Sequence, residues 1–347
     1  MALVDIKSMF KAEILEAFKN AGYPAYRASQ VYLWLVKGVK SFDEMRNLPK
    51  GLISELKEKY YIAGVEIERK LISKIDGTIK YLFRLNDGEH IEAVVMSYKH
   101  GYTICISTQV GCKMGCKFCA TGMGGFSRNL TASEMISQIK EAELDNEIRI
   151  SNVVLMGMGE PLDNYKNVVK FLRLVSSKEN LNIGMRHISL STCGIIDKIY
   201  ELAEEKFQLT LSISLHASDD LTRSKIMPIN NKYNLDELLT ACRLYISKTN
   251  RRISFEYAMI AGVNDSDECA KCLAEKLRGM LCHVNLIPAN GIDFAPGNYK
   301  KSGMERIKKF VNILEKYGIN VTIRRTLGAD INASCGQLRR STKKVEV

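Results

Sequence analysis

Apolar side chains recur at helical spacing over residues 6–21, 28–36 and 52–60, so the chain is predicted to open with a small helical unit. A different pattern follows. Residues 66–75, 79–85 and 89–96 are joined by Asp76-Gly77 and Asp87-Gly88, dipeptides suited to tight turns, and predict a short antiparallel meander. From Tyr102 onward short β-branched runs, at 103–107, 152–156, 187–191, 209–215, 254–259, 282–287 and 320–324, alternate with helical stretches. One of those helices opens on the capping box Thr131-Ala132-Ser133-Glu134 and carries Met135, Ile136 and Ile139 on its apolar face. Strands spaced by helices imply a parallel sheet, either doubly wound or a barrel. About six such units over about 230 residues are too few for a closed eightfold barrel. The expected fold is therefore α/β, an open partial (β/α)6 barrel whose open side would admit a large substrate. Expected boundaries are a helical accessory domain at 1–65, the meander at 66–97, the barrel at 98–338 and a basic tail at 339–347.

Charge narrows the partner. Lysine and arginine exceed aspartate and glutamate by 50 − 39 = 11, which favours a polyanion, although a merely soluble basic protein fits the same surplus. Arg339, Arg340, Lys343 and Lys344 add a local basic cluster in the tail. Met1 to Gly22 mixes Lys and Glu through its apolar positions, unlike a secretory segment, and no uncharged run approaches the roughly 18 residues of a membrane span. The expected location is the cytosol, with no membrane partner. The 10 cysteines are then reduced, and read as metal ligands, catalytic thiols or core fillers.

Three of them stand out. Cys112, Cys116 and Cys119 fall in the loop that leaves the first parallel strand, at a spacing that can wrap one corner of a cubane and leave the fourth iron without a protein ligand. Zinc would ask for a fourth Cys or His at matched spacing, and none lies in the loop, so zinc and chance clustering are the lesser alternatives. Gly159, Glu160, Ser191, Ser214, Leu215, His216 and Asn290 all fall at or just after expected carboxyl ends of parallel strands, the edge where barrel enzymes assemble their sites. Singly, each has a plain structural reading, as a strand-connecting turn or a core histidine. On sequence alone Cys105 reads as a small hydrophobe in a strand and Glu92 as a solvated glutamate on an alternating one. Cys269 and Cys272 lie in a helical stretch without a second pair and, with Cys193, Cys242 and Cys282, read as ordinary thiols.

The cysteine spacing resembles the radical S-adenosylmethionine (SAM) superfamily. Ser107-Thr108-Gln109-Val110-Gly111, Gly157-Met158-Gly159-Glu160-Pro161-Leu162, Ser214-Leu215-His216 and Asp330-Ile331-Asn332-Ala333-Ser334-Cys335-Gly336-Gln337-Leu338 are similar to the RlmN/Cfr group of rRNA methyltransferases within it, from about residue 23 to 338. The resemblance implies a partial barrel of the radical SAM type. It also implies one 4Fe-4S cluster on Cys112, Cys116 and Cys119, with S-adenosyl-L-methionine held by Gly159, Glu160, Ser191, Ser214, Leu215, His216 and Asn290. Cys335 would take a methyl group from one SAM, a second SAM would supply the radical that activates it, Cys105 would resolve the enzyme–RNA adduct through a disulfide, and Glu92 would accept a proton.

The implied reaction is methylation of C2 of the peptidyl-transferase adenosine of 23S rRNA, with the tRNA adenosine beside the anticodon as a second substrate. Methylation of C8 by a Cfr-type enzyme is the alternative, and Val110 and Pro161 fit the RlmN side better. Ser334, where alanine is commoner, and Gly291 after Asn290, where proline is commoner, depart from the family pattern. An external one-electron donor of the flavodoxin or ferredoxin type and a monomeric state are also expected. Lys113, Lys117, Arg128, Tyr23, Tyr26, Arg27, Trp34 and the tail are candidate RNA contacts. An RNA-binding or electron-carrier protein with a closed metal site, and a radical enzyme acting on a small molecule, are the readings from other classes.

Overall fold

The computed structural model describes residues 3–288 and 299–333. Strand β1 (Val4–Asp5), helices α1 (Lys11–Asn20), α2 (Ala25–Lys37) and α3 (Lys50–Lys59) and strand β2 (Tyr60–Tyr61) form the helical unit, with β1 and β2 paired in parallel. Pro24 and Pro49 stand just before α2 and α3, and Gly38 ends α2 in the left-handed region at φ 94°. Ile14, Phe18, Val31, Leu35, Leu52 and Leu56 turn one face of each helix onto a core of their own with Ile6 and Met45. The unit is pinned to the rest of the chain by polar contacts, among them Ser133 Oγ to Asp5 (2.5 Å), Lys7 Nζ to Ser137 Oγ (2.9 Å) and Lys40 to Glu141 (3.0 Å).

The meander is β3 (Val65–Ile72), β4 (Ile79–Leu85) and β5 (His90–Tyr98), and β5 continues antiparallel into β6 (Gly101–Cys105). It is part of the main sheet. Ten strands run in the order β14-β13-β12-β11-β10-β9-β6-β5-β4-β3, and Tyr81, Phe83 and Ile91 share one core with Ile104 and Val153.

After β6 come β7 (Gln109–Gly111), α4 (Ala120–Met123), β8 (Phe126–Asn129), α5 (Ala132–Asn146), β9 (Ile150–Leu155), α6 (Tyr165–Ser176), β10 (Ile188–Thr192), α7 (Ile196–Glu204) and β11 (Thr210–Ser214). Then follow α8 (Asp220–Ile226), α9 (Leu235–Thr249), β12 (Ile253–Met259), α10 (Asp267–Leu277), β13 (Cys282–Pro288), α11 (Met304–Lys316) and β14 (Val321–Ile323). Strands β6, β9 and β10 to β14 are parallel, each joined to the next through helix. The open, partial α/β barrel expected from the sequence is borne out, with a last strand beyond the six strand–helix units. Thr131 caps α5 in a capping box with Glu134, as its sequence predicts. Strand β12 is buried at every position, the mark of a central parallel strand covered on both faces. No described helix is long and apolar enough to cross a membrane.

Candidate active site

The loop bearing the three cysteines hangs from a small ribbon that the sequence reading missed. Strands β7 and β8 pair antiparallel, and Cys112 N–H donates to Gly125 O (2.9 Å) to close the ribbon's tip. Gly111 makes this possible: at φ 76° a Cβ would lie 2.0 Å from Gly125 O. On the far side Lys117 N–H donates to Ile226 O (2.9 Å), tying the loop to the end of α8.

Cys112, Cys116 and Cys119 line one wall of an open cleft of about 1400 Å3, and Gly159, Glu160, Ser191, Ser214 and His216 line it with them. These are strand-end positions of one sheet edge, as expected. Leu215 differs. Its side chain is in the core and does not line the cleft, while its N–H donates to Glu256 O (3.0 Å) and its carbonyl accepts from Arg223 Nε (3.1 Å). Asn290 and Cys335 lie outside the described residues.

Each cleft residue is held from behind. Glu160 is buried and accepts from Leu162 N–H (3.0 Å) and Cys193 N–H (2.8 Å), and burial pushes its carboxyl up against these bonds. Gly159 at φ 103° brings the chain so close that a Cβ would lie 2.5 Å from Gln109 Cβ. Gln109 Oε1 in turn accepts from Glu160 N–H (2.9 Å). His216 is at φ 57° with its ring edge-on to Phe118 at 4.8 Å, and its Nδ1 accepts from Ala258 N–H (2.9 Å). Burial pushes the ring down to about 3, so it is neutral, and with Nδ1 an acceptor the remaining proton belongs on Nε2.

Sequence reasoning missed Arg223. Wholly buried, its guanidinium donates to Leu215 O (3.1 Å), Asn230 Oδ1 (3.0 Å), Cys193 O (2.7 Å) and Ser214 O (3.2 Å), gathering the ends of β10 and β11. A lone arginine in the last turn of a short polar helix carries no signal for this. Glu256 was also missed, although a single Glu inside the apolar run Ile253–Met259 was a cue; it accepts from Ser254 (2.9 Å) and Asn285 (2.8 Å) and lines the cleft. Cys193, read as an ordinary thiol, lines it as well.

Glu92 and Cys105 meet in a second pocket of about 1100 Å3 that shares Met156, Gly157, Ile287 and Arg324 with the first. Glu92 is buried, not solvated, because its face of the sheet is covered: Arg324, Thr326 and Ala333 line the pocket with it and Lys80 stands 3.8 Å away. Burial pushes the Cys105 thiol up to about 11, with the nearby Arg324 charge opposing. Of the candidate RNA contacts, Arg128 is engaged by Asp87 (2.6 Å) and Glu134 (2.8 Å), and Lys113 pairs with Asp163 (2.8 Å) while staying half exposed.

The donor set fits an iron–sulfur cluster. The three thiols are free and share one wall, on a loop with Gly115 at φ 70°. Among the described residues no three His, Cys, Asp or Glu side chains are gathered as for one ion; a cubane asks for something else, one thiolate on each of three irons. Burial pushes Cys112 up to about 12 and raises Cys116 as well, so ligation must displace protons.

The model of the radical SAM superfamily matches residues 106–271, and that of the ribosomal RNA large subunit methyltransferase N-terminal domain matches residues 4–62. A Clostridium botulinum (strain Eklund 17B / Type B) protein named probable dual-specificity RNA methyltransferase RlmN is 56% identical over 328 residues, 94% of each chain. The chain belongs to the RlmN family. An Alkaliphilus oremlandii (strain OhILAs) RlmN of the same description is 54% identical over 340 residues, 98% of each chain. The crystal structure of a radical SAM methyltransferase from Sphaerobacter thermophilus superposes with a TM-score of 0.88 at 44% identity, covering 96% of this chain and 98% of that one. As a radical SAM enzyme of the RlmN family, the protein takes a 4Fe-4S cluster and SAM as cofactors.

Proposed function

We propose that this RlmN-family enzyme methylates C2 of the peptidyl-transferase adenosine of 23S rRNA, and of the tRNA adenosine beside the anticodon, through a methyl group carried on Cys335. The observation that carries the reading is the second pocket. Glu92 and Cys105 line it together, it shares Met156, Gly157, Ile287 and Arg324 with the cleft of the three cysteines, and Ala333, two positions before Cys335, lines it too.

Cys112, Cys116 and Cys119 hold the cluster, while Gly159, Glu160, Ser191, Ser214 and His216 shape the SAM site, with backbone at Leu215 and with Asn290 completing it. When bound, the cluster and SAM supply a one-electron cleavage that removes a hydrogen atom from a methyl group. Glu160 has lone pairs left to accept from an amine or ribose hydroxyl, and neutral His216 offers an Nε2 donor. Cys335, as thiolate, displaces the methyl group from the SAM sulfonium: a sulfur–carbon bond forms, another breaks, and the thiol proton leaves. Once the carried carbon is joined to the adenine, the adduct holds one unpaired electron; that electron would return to the oxidised cluster, and Glu92 accepts the proton of the ring carbon. Cys105 then gives up its thiol proton and attacks the Cys335 sulfur, so that a disulfide forms, the sulfur–carbon bond breaks, and its electron pair takes up a proton as a C–H bond of the new methyl group. A thiol that burial holds at about 11 attacks only after deprotonation in the pocket, which suits a resolving step that must wait for the adduct.

The accessory unit is the proposed RNA-docking element, with exposed Tyr26 and half-exposed Lys113 among its contacts and those of the cluster loop. A flavodoxin- or ferredoxin-type donor, a monomeric state and a cytosolic location complete the proposal. Incubating the reconstituted enzyme with SAM labelled in the methyl group, without RNA, tests it: peptide mass spectrometry is expected to find the label on Cys335. Label on RNA with none passing through Cys335, or full activity of Cys335→Ala, would overturn it.

A further inference from the structure

The turn between β3 and β4 holds the segment that leads to Cys335. Ser73 Oγ donates to Asp330 Oδ1 (2.6 Å) and Lys74 N–H to Asp330 Oδ2 (2.8 Å), so both carboxylate oxygens are taken by the turn. In return Gly328 N–H donates to Asp76 Oδ2 (2.8 Å), and Asp76 is itself fixed by Thr78 N–H on Oδ1 (3.0 Å). Two positions further on, in β4, wholly buried Lys80 donates to Asn332 O (2.5 Å) and stands 3.8 Å from Glu92 Oε1. Turn and segment are close-packed: Gly328 has φ 61°, and a Cβ there would lie 3.1 Å from Thr78 Cγ2 and 2.6 Å from Ala333 Cβ. Neither Ser73 nor Lys80 has a part in the chemistry described above, and Asp330 and Asn332 belong to the same sequence stretch as Cys335.

We infer that the β3–β4 turn and the start of β4 form a positioning clamp, in which Ser73, Asp76 and Lys80 hold residues 328–333, the stretch that leads to Cys335, at the Glu92–Cys105 pocket. The inference rests on the reading of Cys335 as methyl carrier and Cys105 as its resolving thiol. A carrier thiol must present itself first to SAM and then to a neighbouring thiol. Fixing Gly328, Asp330 and Asn332 upstream of it reduces the entropy lost in each encounter and raises the effective concentration of one thiol at the other. Lys80 adds a direct link, since one ammonium holds both the main chain at Asn332 and the Glu92 carboxylate. The meander is therefore part of the catalytic apparatus, contributing positioning residues from an element that carries only Glu92 among the reacting groups.

The test uses full-length, cluster-loaded enzyme equilibrated without oxygen in mixtures of reduced and oxidised glutathione. Oxidised glutathione accepts the two electrons released when the two thiols join, giving one protein disulfide and two molecules of reduced glutathione. Alkylation followed by peptide mapping reads the fraction of Cys105–Cys335 disulfide, and hence the effective concentration of the pair. Ser73→Ala should lower it about fivefold, as expected for one hydrogen bond to the segment, and Asp330→Ala by more, because it removes the bonds from both Ser73 and Lys74. The double variant should fall no further than Asp330→Ala, because both remove the same contact. Lys80→Met should lower it at least as much and Lys80→Arg restore part of it; should Lys80→Met fail to fold, the Ser73 and Asp330 variants decide. Iron content and thermal midpoint are expected to stay within those of the parent for the Ser73 and Asp330 variants, which a general loss of structure would not allow. Unchanged effective concentration in these variants overturns the clamp while leaving the carrier reading intact. Absence of the Cys105–Cys335 disulfide in the parent enzyme overturns both.

Discussion

His216 offers a quantitative check on the electrostatics of the cleft. Its ring is buried, its Nδ1 is taken by Ala258 N–H, and burial, with Arg223 nearby, moves its midpoint from 6.5 to about 3. At about 1.4 kcal/mol for each tenfold, that displacement corresponds to about 5 kcal/mol against placing a proton on the ring. The unfolded chain protonates this histidine below its ordinary value whereas the native state does not until about 3, so native stability is lost as pH falls through that window. Between pH 7 and pH 5 the share of this one group comes to about 2 kcal/mol. His216→Asn is the matched reference, because Asn tolerates the left-handed backbone, offers a carbonyl oxygen to Ala258 N–H, and does not titrate. Urea unfolding of both proteins at the two pH values should show the parent losing about 2 kcal/mol more than the variant on acidification. Parallel losses would mean that the ring is protonated in the native state, and the neutral Nε2 donor assigned to it would be wrong.

Replacing Gly159 by Ala places a Cβ 2.5 Å from Gln109 Cβ and strains the backbone by about 1–3 kcal/mol; iron per chain after reconstitution should fall with stability, and a full iron complement would contradict the close approach. Arg223→Ala strips donors from Cys193 O, Ser214 O and Leu215 O and should cost at least about 3 kcal/mol by urea unfolding, with Arg223→Lys recovering only part because an ammonium lacks the planar fork. A loss below about 1 kcal/mol would show that the strand ends hold without it. Glu160→Gln keeps the side-chain carbonyl but loses an acceptor oxygen, and should weaken SAM binding by about tenfold in calorimetry; unchanged affinity would remove Glu160 from the cofactor site.

Much of this was legible because local rules and the final fold agree. Thr131 and Glu134 announce α5, Asp87-Gly88 turns β4 into β5, and the strand–helix alternation gives the parallel sheet. Cleft residues were legible for the same reason, since a glycine, glutamate or histidine just past a strand falls on one edge once the strands are parallel. What stayed hidden depends on partners distant in the chain. Periodicity says that β5 alternates but not that the segment after β14 will cover the face bearing Glu92, so a glutamate expected to be solvated is buried. The β7–β8 ribbon is too short for a pattern to register, and its signal was the spacing of glycines at 111 and 125. Arg223 acts through four acceptors drawn from three segments, a relation that exists only after folding.

The central claim is the identity of the methylated atom. The reconstituted enzyme, incubated without oxygen with SAM, a reductant and unmodified 23S rRNA and tRNA, can be assayed by mass spectrometry of the released nucleosides. The account predicts 2-methyladenosine from both RNAs, lost on Cys335→Ala or Cys105→Ala. Formation of 8-methyladenosine would contradict the assignment of C2, and no methyladenosine at all from an enzyme with an intact cluster would contradict the RNA reading itself.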